Sequence, residues 1–372
     1  MTNALKLGSI MLFSASVGAC GGSDEATDSP TDSGGGSDTG SAFDSTAGDS
    51  AKPDTTPADG GVDTAVADTA VADTTVADTA PADSGVDTAL EVGDGGCLIP
   101  AYGTVPGTIY YSRLATVASG EGEIWTVKGD GTADTKLTNG EWPRLSHDGK
   151  YMAFHRDNGG PARASLYVRD MTSGVETKVY DNPDNVVGVT WAADDAKLYF
   201  DSACSILSAN RDGTGVTTLL GTDCYNDCPD LRPSDSLIAF HNVHSKMFTM
   251  SSAGAAVTAI PSTVAGDVWP HWSPSGSKLA FLHVVTETDP AGNLGIINAD
   301  GTGRTVLTTL TLTDGFRTSG SWTADGTTIV NAGFVCGISG LWAVSASTGA
   351  ITRLRTSTST TMPVVDWVGD VR

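Results

Sequence analysis

The sequence predicts an all-β domain made of one strand-turn unit repeated around a ring, and three observations carry that expectation. A twelve-residue pattern centred on Asp-Gly-Thr occurs three times, as VKGDGTADTKLT (127–138), ANRDGTGVTTLL (209–220) and INADGTGRTVLT (297–308). A second pattern, an apolar slot residue followed by turn residues and a short apolar run, recurs with its slot at Leu145, Trp191, Leu231, Trp272, Trp322 and Trp367, separated by 46, 40, 41, 50 and 45 residues. Each unit divides into four short apolar runs parted by turn chemistry. Four strands per ~45 residues, repeated radially, is the signature of a propeller blade. Six slots predict six blades over residues 97–372.

The chain of 372 residues begins with a segment of another kind. Lys6 precedes an apolar run from Leu7 to Ala19, 13 residues long. Spanning a bilayer takes about 20, so residues 1–19 read as a signal peptide. Their end, Val17-Gly18-Ala19-Cys20, resembles the bacterial lipobox. The resemblance implies cleavage before Cys20 and lipid on that cysteine, with more than one acyl chain giving a stable anchor.

Residues 20–96 read as a disordered linker. Residues 21–96 hold 15 Asp, 2 Glu and one Lys, and Phe43 is their only aromatic. Asp63, Asp68, Asp73, Asp78 and Asp83 recur every five residues, a period that fits neither a helix face nor a strand face. Such a stretch cannot bury enough apolar surface to offset the entropy of ordering it.

Within the repeated region, the unit around Trp272 shows the elements most clearly: Val268–Ser273, Lys278–Val284, Leu294–Asn298 and Arg304–Leu310. Asp300-Gly301 parts the last two, a hairpin signal because glycine tolerates the positive φ of a tight turn. Gly301 and Gly303 therefore turn a hairpin and do not cradle a phosphate, which would require a strand before them and a helix after. The region opens with GTIYYSR (107–113), which matches the second strand of a blade, and the last unit, around Trp367, supplies only an innermost strand. The first and last segments are predicted to share one blade, which closes the ring and removes its open edge.

The units resemble the TolB-type propeller repeat, in WPHWSPSGSKLAFL (269–282), WPRLSHDGKYMAFH (142–155) and the Asp-Gly-Thr hairpins, over essentially all of 107–372. The resemblance implies a propeller that binds an envelope protein. In that family an α/β domain precedes the propeller; here the acidic linker stands in its place.

The residues just before the slots, Arg144, Thr190, Asp230, His271, Ser321 and Asp366, lie on the predicted innermost strands and are the candidate channel-face binding ring. Cys204 falls in a loop of the same face as Cys224 and Cys228, so a disulfide from Cys204 to either is expected. No catalytic residue, metal ligand set or cofactor motif is read: a Gly-x-Ser-x-Gly elbow is absent, and His241 and His244 stand three apart, on opposite faces of a strand. The net charge of −23, without a basic stripe, argues against nucleic acid as a partner. The resulting expectation is a monomeric lipoprotein of the bacterial cell envelope, anchored in the outer membrane, whose propeller binds a protein or peptide without catalysis. An envelope hydrolase or lyase with its site in the channel, and a structural or surface-display protein, are the alternatives.

Overall fold

The computed structural model describes residues 91–92, 96–114, 122–157, 164–181, 186–203, 205–221, 226–242, 246–284, 292–311, 314–356 and 367–371. The signal segment, Cys20, nearly all of the linker, Cys204, Cys224, His244 and Asp366 lie outside them. No α-helix occurs among the described residues.

Six sheets form the ring. Blade 1 contains β1 (Thr108–Leu114), β2 (Gly122–Lys128) and β3 (Thr135–Asn139). Blade 2 is β4 (Glu141–Leu145), β5 (Tyr151–Asp157), β6 (Ala164–Asp170) and β7 (Glu176–Tyr180). Blade 3 is β8 (Val186–Trp191), β9 (Lys197–Ser202), β10 (Ser205–Asn210) and β11 (Thr217–Leu220). Blade 4 is β12 (Asn226–Leu231), β13 (Leu237–Asn242), β14 (Met247–Ser251) and β15 (Thr258–Ala259). Blade 5 is β16 (Asp267–Trp272), β17 (Lys278–His283), β18 (Asn293–Asn298) and β19 (Thr305–Val306). In blade 6 the innermost strand is split into β20 (Gly315–Phe316) and β21 (Ser321–Trp322), both pairing with β22 (Thr328–Val335); β23 (Ile338–Ser345) and β24 (Ile351–Thr356) follow. The final strand, β25 (Trp367–Val371), pairs antiparallel with β1 and completes blade 1. The closure expected from the sequence is thus present.

The Asp-Gly-Thr repeats are tight turns held by their own side chains. Asp130, Asp212 and Asp300 each accept from the backbone N–H of the Thr two residues on, at 2.9 Å. The same carboxylates accept from the Thr hydroxyls at 2.6 to 2.7 Å. Gly131, Gly213 and Gly301 hold φ of 80°, 85° and 81°, where a Cβ is disfavoured.

The slot residues pack between blades, each 2 to 4% exposed at Leu145, Trp191, Leu231, Trp272 and Trp322. Trp191 Nε1 donates to Arg144 O at 2.9 Å and Trp322 Nε1 to His271 O at 3.0 Å, so each indole joins its blade to the preceding one. Buried clusters likewise straddle neighbours. Ala153, Leu166 and Val168 of blade 2 meet Val189, Leu198 and Phe200 of blade 3. Ile109 and Tyr111 of blade 1 meet Val330, Leu341 and Ala343 of blade 6 across the closure.

Two features depart from the sequence expectation. Cys97 and Cys336 form a disulfide across 239 residues. Cys228 is a free, buried thiol, so the expected bridge from Cys204 to Cys228 is not formed; the alternative from Cys204 to Cys224 lies outside the described residues. Cys228 precedes Pro229 in a bulge of β12, where the strand buries its side chain. Residues 91 and 92 also make contacts. Val92 bridges to Leu98, and Glu91 pairs with Arg353 at 2.9 Å.

A cavity over a bridged axis

In blades 2 to 5 the innermost strand carries a register shift at the same place: Glu141/Arg144, Val186/Val189, Asp227/Asp230 and Val268/His271. Three of these bulges contain a proline, Pro143, Pro229 or Pro270, which has no N–H to give to the ladder. The residue before each proline sits in the left-handed region: Trp142 at φ 56°, Cys228 at 50° and Trp269 at 54°. For bulky residues this is a costly conformation, of order 1–3 kcal/mol each. A bulge re-aims the side chains that follow it; here those are Arg144, Asp230 and His271.

Five of the six residues proposed from the sequence line one cavity of about 170 Å³: Arg144, Thr190, Asp230, His271 and Ser321. The sixth, Asp366, lies outside the described residues. His147, Pro233, Pro274 and Ala324, from the turns between first and second strands, form the rim, so the cavity opens on that face. These rim residues were not singled out from the sequence, since turn residues at a blade end carry no pattern that marks them as converging.

The ring residues do different work. Thr190 and Asp230 tie blades together: Leu231 N donates to Thr190 Oγ1 at 3.2 Å, and Trp272 N to Asp230 Oδ2 at 2.7 Å. Arg144 and His271 come from blades 2 and 5, opposite each other in a six-membered ring. Arg144 Nη1 lies 2.9 Å from His271 Nε2, and Arg144 Nη2 lies 3.5 Å from Asp230 Oδ1. His271 Nδ1 lies 2.6 Å from Gly320 O. A carbonyl only accepts and a guanidinium only donates, so a neutral imidazole protonated on Nδ1 satisfies both contacts. One level deeper, the Trp142 and Trp269 rings meet edge to face at 6.3 Å, again from blades 2 and 5. The axis is therefore bridged twice across its diameter, and the cavity is a cup with a polar floor of Arg144 and His271.

At the level of the indoles lies a second group of buried titratable side chains. Asp201 Oδ1 accepts from Gly188 N at 2.6 Å and from Cys228 N at 3.1 Å; Asp227 Oδ1 also accepts from Cys228 N, at 2.8 Å. Burial, then the neighbouring Asp227, pushes the Asp201 carboxyl well above the ordinary carboxylate range. Burial raises the Cys228 thiol as well. His155 and His241 are buried here, 3% and 1% exposed. Burial pulls their imidazoles down to about 3 and about 4 against the opposing pull of Asp227. The sequence signal for this group was present in part, since His155, Asp201 and His241 all follow the aromatic end of a second strand.

No family model matches the chain, and no curated protein matches it either. Solved structures do. TolB from Acinetobacter baumannii superposes with a TM-score of 0.59 at 15% identity, covering 74% of this chain and 69% of that one. A hydrazine synthase structure from Kuenenia stuttgartiensis gives 0.54 at 12% identity, over 73% of this chain and 48% of that one. A nidogen/laminin complex gives 0.52 at 13% identity, over 70% of this chain and 97% of that one. With its four-stranded blades, Asp-Gly-Thr hairpins and shared closing blade, the chain folds as a six-bladed propeller of the TolB type.

Proposed function

We propose that this chain is a lipoprotein of the bacterial cell envelope, anchored through Cys20 in the outer membrane, that presents its propeller as a non-catalytic protein- or peptide-binding module. The observation that carries the reading is the cup: five inward-facing polar positions converge on one cavity whose floor is closed. A closed floor suits a group that enters and stops, such as a peptide end or a polar side chain, and the Arg144 guanidinium gives that floor a positive charge. The tether geometry favours presentation. The cavity is lined at Trp322 and Ala324, next to the start of β22, whereas Cys336 follows the end of that eight-residue strand. At about 3.3 Å per residue the two ends stand roughly 25 Å apart, so Cys97 is stapled to the face opposite the cavity mouth.

The test is photo-crosslinking in cells, with the crosslinking amino acid at the exposed rim position Ala324 or, as a control, at Val257 on the outer edge. The expected outcome is a discrete adduct with an envelope protein from position 324 alone, diminished by His271→Ala. Equal labelling from both positions, or none, refutes the binding reading. Separately, Cys20→Ala is expected to release the protein into the soluble fraction; retention in membranes would refute the anchor.

A further inference from the structure

Cys228 occupies in blade 4 the bulge position that holds Trp142 in blade 2 and Trp269 in blade 5, so its thiol lies in the layer of the indoles rather than in a loop. Donor atoms of Asp201, Asp227 and Cys228 all lie within 4.8 Å of one another. They come from two blades: Asp201 from the end of β9, the others from the start of β12. We propose that these three side chains form a binding site for a divalent d-block cation of the zinc class.

Three observations lead there. The donor set, one thiol and two carboxylates, suits a borderline cation better than calcium or magnesium, which take oxygen alone. The spacing is close to what coordination needs, because bonds of about 2.0 to 2.3 Å in a tetrahedron put donors roughly 3.3 to 3.8 Å apart. The two carboxylates also converge on one backbone group, since Cys228 N donates to Asp201 Oδ1 at 3.1 Å and to Asp227 Oδ1 at 2.8 Å.

The surroundings are close-packed, and a buried histidine lies in the same layer. A Cβ on Gly188 would stand 2.5 Å from Cys228 Cα and 2.7 Å from Asp201 Oδ1, so only glycine allows the two blades to approach here. His155 stacks beside Trp142 in the same layer, and its Nε2 is buried without a hydrogen-bond partner. Asp227 is the charged group that acts on that ring. Asp201 and Cys228 are 6% and 8% exposed, while Asp227 is partly open to solvent and gives the ion a way in. Sequence spacing could not show this group, because 27 residues separate Asp201 from Cys228 and no short motif links them.

Binding would replace the thiol proton of Cys228, which passes to solvent as the metal–sulfur bond forms. The site stands or falls independently of what the cavity on the other side of the bridged axis binds.

The test is titration of the full chain with Co²⁺ followed by Zn²⁺, reading absorbance and proton release. The expected result is a thiolate-to-cobalt charge-transfer band that saturates at one equivalent, with proton release, and that Zn²⁺ discharges. Cys228→Ser abolishes the band, Asp227→Asn weakens Co²⁺ binding at least tenfold, and Cys204→Ser and Cys224→Ser leave the band intact. Absence of the band, its persistence in Cys228→Ser, or its loss in Cys204→Ser or Cys224→Ser overturns the proposal. Should Cys228→Ser fail to fold, Asp227→Asn decides, because this partly exposed position tolerates the amide; unchanged Co²⁺ affinity there overturns the site.

Discussion

Acidification from pH 6.5 to 5 should destabilise the propeller through His155 and His241. Both imidazoles are neutral in the fold over this range, with values held down to about 3 and about 4 by burial. In the unfolded chain they titrate near 6.5, so the unfolded state takes up protons that the fold refuses. A group depressed in the fold contributes stability that is present above its unfolded value and is lost as pH falls. For two such rings the folding constant drops by roughly 250-fold between pH 6.5 and 5. Asp201 acts in the other sense. Its folded value is raised, so its contribution is full below the unfolded value near 4 and fades as pH rises. As one group against two, it offsets only part of that loss over the same interval. Urea unfolding followed by tryptophan fluorescence, repeated at pH 5.0, 5.5, 6.0 and 6.5, measures this. Asp201→Asn should steepen the dependence, and His155→Gln with His241→Gln should reverse its sign. A dependence that the double histidine variant leaves unchanged would refute the assignment.

Three further outcomes follow from the packing. Gly188→Ala should lower stability by about 1–3 kcal/mol through overpacking, measured as a drop in Tm, since its Cβ would strike Cys228 and Asp201. Asp267→Asn should cost about 2–3 kcal/mol, below the full penalty of a broken buried pair because Arg304 reaches solvent. Asp267 is fully buried and accepts from Arg304 Nε and Nη2 at 2.7 Å each, so urea unfolding at neutral pH should show the loss plainly. Ending the chain at residue 366 removes β25 and bares the edge of β1, and size-exclusion chromatography should then show larger species than the intact chain gives.

Much of the fold was legible because its signals are local. Asp300-Gly301-Thr302 makes the same turn wherever flanking strands meet, since one carboxylate satisfies both the Thr N–H and the Thr hydroxyl within three residues. The slot tryptophans and leucines declare themselves by spacing alone, and the offset between GTIYYSR and the last slot foretold that β25 would complete blade 1. The convergence of Arg144, Thr190, Asp230, His271 and Ser321 followed from their shared position before the slots.

What the residues do at that convergence was decided by tertiary structure. Whether Asp230 faces a ligand or clasps Trp272 N depends on how closely blade 4 meets blade 5. The Arg144–His271 contact joins positions 127 residues apart, and it exists because six blades set a ring narrow enough for opposite strands to touch. The disulfide partner of Cys97 and the grouping of Asp201, Asp227 and Cys228 are fixed in the same way. The physical reason is range. Turn and strand preferences act over a few residues and are written in consecutive letters, whereas contacts across or around the ring depend on closure, which no local stretch contains.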